Sequence, residues 1–163
     1  MKGMSNIMIR EILTYPKDKE TLTLKSLEVQ DVFSKEIKDT IQDLKDTLNS
    51  QSSGVGISAI QIGIPLRICV IHYGKEVVMI NPEITWKRSG LNGLKKIREG
   101  CLSAPNTFIE VERPQKVICE YTDEEGNRKE IAEGGLMSAI IQHELDHFDG
   151  YCHVFDAVED DKI

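Results

Sequence analysis

No stretch of this 163-residue sequence approaches the ~20 consecutive apolar residues that cross a membrane. Nor does it open on a secretory signal. Met1 to Ile12 carries Lys2, Asn6, Arg10 and Glu11 where a signal needs a long apolar run, and no small-residue cleavage site follows. Positive charge is in deficit, with 20 Lys and Arg against 27 Asp and Glu. The resulting net charge of −7 counts against a general nucleic-acid binder and favours solubility. Cysteine is sparse: Cys69, Cys101, Cys119 and Cys152 are the four present. These absences set the expectation of a cytoplasmic protein with no membrane partner, whose thiols stay reduced as buried groups or metal ligands. There is no internal repeat and no linker rich enough to divide the chain, so residues 1–163 are expected to form one domain.

What is present has a readable order. Ile9 to Pro16 reads as a short segment ending in a turn. Phe33, Ile37, Ile41, Leu44 and Leu48 recur at helical spacing and predict an amphipathic helix over about Val32 to Asn49. The run from Gln51 to Gly56 is polar and glycine-rich, hence a loop. Leu66 to His72 and Val77 to Ile80 read as strands joined by a tight turn at Tyr73-Gly74-Lys75. Asn81-Pro82 is expected to break that pairing. Ser89 to Lys96 reads as a loop, and Lys116 to Thr122 with Arg128 to Ala132 as a hairpin around Asp123 to Asn127. Gly134-Gly135 opens a helix from about Leu136 to Asp149, stopped at Gly150. The expected fold class is α+β, with antiparallel or mixed sheets packed around a buried C-terminal helix.

That last helix carries His143-Glu144-Leu145-Asp146-His147, an H-E-x-x-H motif. At about 100° per residue, His143 and His147 lie about 40° apart, with Glu144 on the adjoining side. Leu136 and Ile140 fall in the same sector, which marks it as inward-facing. Burying two imidazoles and a carboxylate without partners is costly. A divalent metal removes that cost, since neutral imidazoles one turn apart can bind it from one face. Glu144 is then placed to move protons for a metal-activated water.

A catalytic site of this kind needs a third protein ligand. One candidate is His153, because His143 to His153 fits every fixed position of the metzincin pattern H-E-x-x-H-x-x-G-x-x-H. That pattern requires a methionine turn after the third histidine, and the last methionine here is Met137. The other candidate is Cys101, in Glu99-Gly100-Cys101-Leu102-Ser103. A lone cysteine is by default a buried thiol.

Three segments taken together resemble peptide deformylase: Gly54-Val55-Gly56-Ile57-Ser58-Ala59-Ile60-Gln61, Glu99-Gly100-Cys101-Leu102-Ser103 and Gln142-His143-Glu144-Leu145-Asp146-His147. Ile12-Leu13-Thr14-Tyr15-Pro16, Ile80-Asn81-Pro82 and Arg113-Pro114 extend the likeness over nearly the whole chain. The resemblance implies removal of the formyl group from N-formylmethionyl nascent peptides, with release of formate. It implies Cys101, His143 and His147 as ligands of Fe²⁺, replaceable by Zn²⁺, Ni²⁺ or Co²⁺. Glu144 would be the acid/base, and the Gln61 amide and Leu102 N–H would stabilise the oxyanion. An extended peptide would pair with the Gly54–Gly56 segment, Gly100 would leave room beside Cys101, and Val55, Gly56, Ile97, Leu136 and Ile140 would border the methionine pocket. Any ribosome contact would be transient, the tail from Glu159 being short and acidic. Ser58 stands where alanine is usual and Phe108 where many bacterial members carry arginine. Ala139 and His153 replace larger apolar or aromatic residues, and His153 is expected at the surface. The basic patch of Lys87, Arg88, Lys95, Lys96 and Arg98 is expected to be a solvated loop, and His72 a packed or edge residue.

Overall fold

In a computed structural model, which describes residues 7–88, 90 and 92–160, the described residues form four α-helices, a 3₁₀ turn and seven strands. The strands are β1 Gly56–Ser58, β2 Ile68–Tyr73, β3 Lys75–Lys87, β4 Leu94–Cys101, β5 Ala104–Pro114, β6 Lys116–Thr122 and β7 Arg128–Gly134. β1, β2, β3, β6 and β7 make one antiparallel sheet in that spatial order, and β4 and β5 make a separate hairpin. The helices are α1 Lys19–Leu22, α2 Lys35–Asn49, α3 Gly135–Phe148 and α4 His153–Asp160.

Alternation along β2 and β3 explains the layering. Ile68, Val70, Val78 and Ile80 face Ile37, Ile41, Leu44 and Leu48 of α2. Their neighbours Cys69, Ile71, Val77 and Met79 face Met137, Ile140, Ile141 and Phe148 of α3. Successive side chains point to opposite faces of a strand, so a sheet covered on both sides needs unbroken apolar runs. The sequences Ile-Cys-Val-Ile and Val-Val-Met-Ile supply them. The same alternation sends Ile57 of β1 toward α2 and turns Gly56 and Ser58 toward α3.

Helix α2 starts three residues later than its apolar spacing predicts. Ser34 is its N-cap, its hydroxyl accepting from the Ile37 N–H, so Phe33 falls outside the helix and is exposed, resting against Gly126. Asn81-Pro82 does not end β3. The strand continues to Lys87 through an irregularity between Ile80 and Glu83, where Asn81 has φ 50°, and changes partner from β2 to β6. A proline donates nothing to the ladder, and the bulge places it where no donor is needed. The two strands β4 and β5 were not expected; alternating charge on their outer face hides them. Lys95, Lys96 and Arg98 lie on β4 and Lys87 on β3, not in a loop, while Ser89 and Leu91 of that stretch lie outside the described residues. Helix α3 matches the expected span to within a residue, but it is not the last element. Gly150, at φ 74°, reverses the chain into α4, and a side chain there would meet the Thr23 carbonyl. The expected acidic tail is thus partly the end of α4, and residues 161–163 lie outside the described residues. No helix among the described residues is long and apolar enough to cross a membrane.

Leu44 is fully buried between α2 and the sheet. Leu44→Ala is expected to cost about 2–5 kcal/mol in urea unfolding. Lys38→Ala, on the exposed face, is expected to stay within about 0.5 kcal/mol.

Candidate metal centre and substrate cleft

The inward face of α3 meets the tip of the β4–β5 hairpin. Cys101 ends β4, and the turn residues Leu102 and Ser103 follow it. Cys101 Sγ lies 3.4 Å from His147 Nε2, and His147 Nε2 lies 3.3 Å from His143 Nε2. For metal–nitrogen bonds of ~2.05 Å and metal–sulfur bonds of ~2.3 Å, donors at the corners of a tetrahedron stand roughly 3.4–3.6 Å apart. Both distances are therefore close to the spacing that one ion imposes, and the third pair, Cys101 and His143, has its donor atoms within 4.8 Å. His147 is fully buried and its Nδ1 meets no hydrogen-bond partner among the described residues. Burial, together with the neighbouring His143 charge, holds its pKa well below the usual imidazole value, which favours the neutral form that can bind a metal. The donor chemistry, two imidazoles and a thiol, fits a borderline-soft divalent ion.

A second row of contacts orients the first. His143 Nδ1 faces Glu99 Oε2 at 2.8 Å, which points its Nε2 at His147 and Cys101. Glu99 in turn accepts from Arg113 Nε at 2.6 Å and from an Arg113 terminal nitrogen at 2.9 Å. That nitrogen also donates to Asp146 at 3.1 Å. The hairpin is thus tied to α3 through a carboxylate–guanidinium–carboxylate chain in which Glu99 and Arg113 are buried and Asp146 is half-buried. Burial would raise the Glu99 pKa, but hydrogen bonds from His143 and Arg113 outweigh it and bring it down to about 2. For His143 burial works downward, and the Glu99 carboxylate more than compensates, bringing its pKa up to about 9.

Glu144 is buried beside the same centre, and burial lifts its pKa to about 7 against the pull of His143 and Ser58. Ser58 Oγ lies 3.1 Å from Glu144 Oε1 and 3.0 Å from the Glu144 carbonyl oxygen. Gly56 leaves room for the carboxylate, since a β-carbon there would stand 2.6 Å from Oε2. Gln61 sits at the end of the 3₁₀ turn Ala59–Ile62, inside a capping box. Its Oε1 accepts from the Ser58 N–H at 2.9 Å, and its Nε2 donates to Ser103 Oγ at 3.0 Å and faces Cys101 Sγ at 3.6 Å. The amide group is therefore turned with its donor end toward the sulfur.

A cavity of about 380 Å³ opens on this centre, lined by Gln61, Cys101, His143 and Glu144 among others. Val55, Gly56, Ile97, Gly100, Leu136 and Ile140 all line it. Leu136, expected to face inward, is exposed in the first turn of α3, where it borders the cavity while the next residue, Met137, packs against the sheet. Phe108 is also exposed at the rim, stacked under the Arg98 guanidinium and filling the space that Gly100 leaves. His153 does not join the centre: it is half-buried and bonded to the Tyr151 hydroxyl at 2.8 Å, which removes the metzincin arrangement. His72 is exposed on its strand, 3.4 Å from Asn49.

Sequence reasoning missed several residues here. Glu99, Arg113 and Asp146 could have been paired only by knowing that β4 and β5 form a hairpin against α3. Cys152 was passed over as one thiol among four. Its sulfur, with Cys101 Sγ and the two imidazoles, belongs to a group of donor atoms all within 4.8 Å of one another. The Cys152 thiol against it and its burial push the Cys101 thiol pKa well up, while Cys101 draws that of Cys152 down.

Fold and centre define a class: a hydrolase in which an H-E-x-x-H helix and a hairpin cysteine bring together side chains that could hold a metal, beside a cleft. Residues 9–162 match the polypeptide deformylase family, and the chain belongs to it. It is 40% identical over 154 residues to the peptide deformylase of Aquifex aeolicus, covering 90% of this chain and 86% of that protein. It is 39% identical over 150 residues to that of Bartonella tribocorum, covering 87% and 80%. The crystal structure of peptide deformylase from Ehrlichia chaffeensis in complex with actinonin superposes with a TM-score of 0.83 at 30% identity, covering 95% of this chain and 98% of that one. The expected α+β fold and deformylase activity, a metal-dependent hydrolysis of the N-terminal formyl group, follow for this chain.

The buried Glu99 carboxylate makes a pH prediction. Its folded pKa lies below its unfolded value of about 4.5, so its stabilisation is complete above that pH and is lost as pH falls toward about 2. In chelator-treated protein, the stability difference between wild type and Glu99→Gln should be largest above pH ~4.5 and shrink across that window. A difference that is constant with pH would show that the carboxylate is not held ionised.

Proposed function

We propose that Cys101, His143 and His147 hold one divalent ion, Fe²⁺ in the cell and replaceable by Zn²⁺, Ni²⁺ or Co²⁺, and that this single-domain chain deformylates N-formylmethionyl nascent peptides in the cytoplasm. The observation that carries this reading is the convergence of three donor atoms, at 3.3 and 3.4 Å, beside a cleft that Cys101 and His143 line. When bound, such an ion acidifies water and polarises a carbonyl.

The chain's own residues supply the rest. β1 is the edge strand of its sheet, so an extended peptide can pair beside Gly54–Gly56. Val55, Ile97, Leu136 and Ile140 then surround the methionine side chain, while Gly56 makes room for the Glu144 carboxylate and Gly100 for the Phe108 ring at the rim. Glu144, with a pKa near neutrality, takes a proton from the attacking water and delivers it to the departing amine. As the formyl oxygen gains charge, the Gln61 Nε2 and the Leu102 N–H donate to it. The Ser58 N–H keeps the Gln61 donor end aimed there. Formate leaves, with a free methionyl amine. Any contact with the ribosome is transient.

Metal-loaded protein should release formate from formyl-Met-Ala, and absence of release would remove the assignment. Glu144→Ala should lower kcat by about 10²–10⁴ while metal content is unchanged. Retained turnover would remove Glu144 from the reaction. Gly56→Ala should push the Glu144 carboxylate aside and cost about 10² in kcat with little change in Tm. Unchanged kcat would show that the carboxylate position is not critical.

A further inference from the structure

We propose that Ser58 is a positioning residue for the proton transfer, its hydroxyl tethering one oxygen of the Glu144 carboxylate so that the other, Oε2, takes and returns the proton. The inference rests on the acid/base role assigned to Glu144 above and deepens it. Ser58 has no exposed surface, and it does not line the cleft, whereas Glu144 does. The serine therefore reaches the carboxylate from the sheet side and acts through it, not on substrate.

The two oxygens of Glu144 have different surroundings. Oε1 stands 3.1 Å from Ser58 Oγ, and the Glu144 carbonyl oxygen stands 3.0 Å from the same hydroxyl. A hydroxyl has one hydrogen to donate, and both of its acceptors here belong to one residue. It thus holds the Glu144 side chain close to its own turn of α3, and a buried hydroxyl deprived of both acceptors would be costly. Oε2 accepts no hydrogen bond among the described residues. It lies beside Gly56, where the missing side chain leaves it room. Oε1 remains an acceptor whether or not Oε2 carries a proton, so the tether holds through both transfers.

The strand β1 builds this from two positions on one face. Gly56 and Ser58 are two residues apart and so point the same way, and they meet the two oxygens of one carboxylate. The backbone that carries the hydroxyl is itself held. Ser58 pairs with Cys69 of β2, and its N–H donates to Gln61 Oε1 at 2.9 Å. An alanine at this position would keep both of those contacts and lose the tether alone.

Ser58→Ala is therefore the test. Its kcat for formyl-Met-Ala should fall about tenfold, with KM, metal content and circular dichroism those of the wild type. In a Glu144→Ala background the same substitution should have no further effect, because no carboxylate is left to hold. Crystals should show one Glu144 side-chain conformation in the wild type and a displaced or divided one in Ser58→Ala. Undiminished kcat in Ser58→Ala, or an equal fall in both backgrounds, overturns the proposal. So does a Glu144 side chain that keeps its place without the hydroxyl. A wild type that releases no formate instead removes the reading on which the proposal rests.

Discussion

Everything at this centre depends on one contact, the grip of the buried Arg113 on Glu99 and Asp146. Glu99 is on the β4–β5 hairpin and Asp146 is on α3, elements that share no sheet hydrogen bonds. An arginine fork that bonds both carboxylates fixes how far the hairpin stands from the helix and at what rotation. Cys101 is two residues from Glu99, and His143 and His147 flank Asp146. The ion pair therefore sets the distance between sulfur and imidazoles before any ion arrives. Removing one partner of such a pair leaves a buried charge exposed to no compensation, so the arrangement resists drift.

The sheet supplies the other half of the geometry. Because β1 to β3 are covered on both faces, their side chains divide strictly between α2 and α3. The α3 side of β1 is reserved for Gly56 and Ser58, one making space for the Glu144 carboxylate and the other hydrogen-bonding to it. A buried carboxylate at a pKa of about 7 is the product of that enclosure. The same strand lies at the sheet edge, so the residues that shape the proton shuttle also border the place where an extended peptide would pair.

Much of this was legible in the amino-acid order, and for identifiable reasons. The helix of the H-E-x-x-H motif, the strands β2 and β3 and the β6–β7 hairpin have strong periodicity or sharp turn signals. The helix α2 was visible too, but its start was misplaced, because Phe33 fits the spacing while Ser34 caps the helix. The β4–β5 hairpin was hidden by charges: Lys96, Arg98, Glu110 and Glu112 occupy one face, and the opposite face holds the buried Glu99 and Arg113. No local pattern announces a polar interior face. Cys101 could be singled out by the residues around it, whereas Cys152 gave no signal, since its closeness to His147 depends on the reversal at Gly150 and the docking of α4. Leu136 and Phe108 became rim residues for a similar reason: the cleft they border exists only once the hairpin meets α3.

The central claim is that one hairpin sulfur and two helix imidazoles close on a single ion at the bottom of the cleft. Anomalous scattering from crystals of zinc-loaded protein tests it most directly. The account predicts one strong peak at ~2.0–2.3 Å from Cys101 Sγ, His143 Nε2 and His147 Nε2. A peak elsewhere, or one bonded to the imidazoles with the Cys101 sulfur turned away, would contradict it.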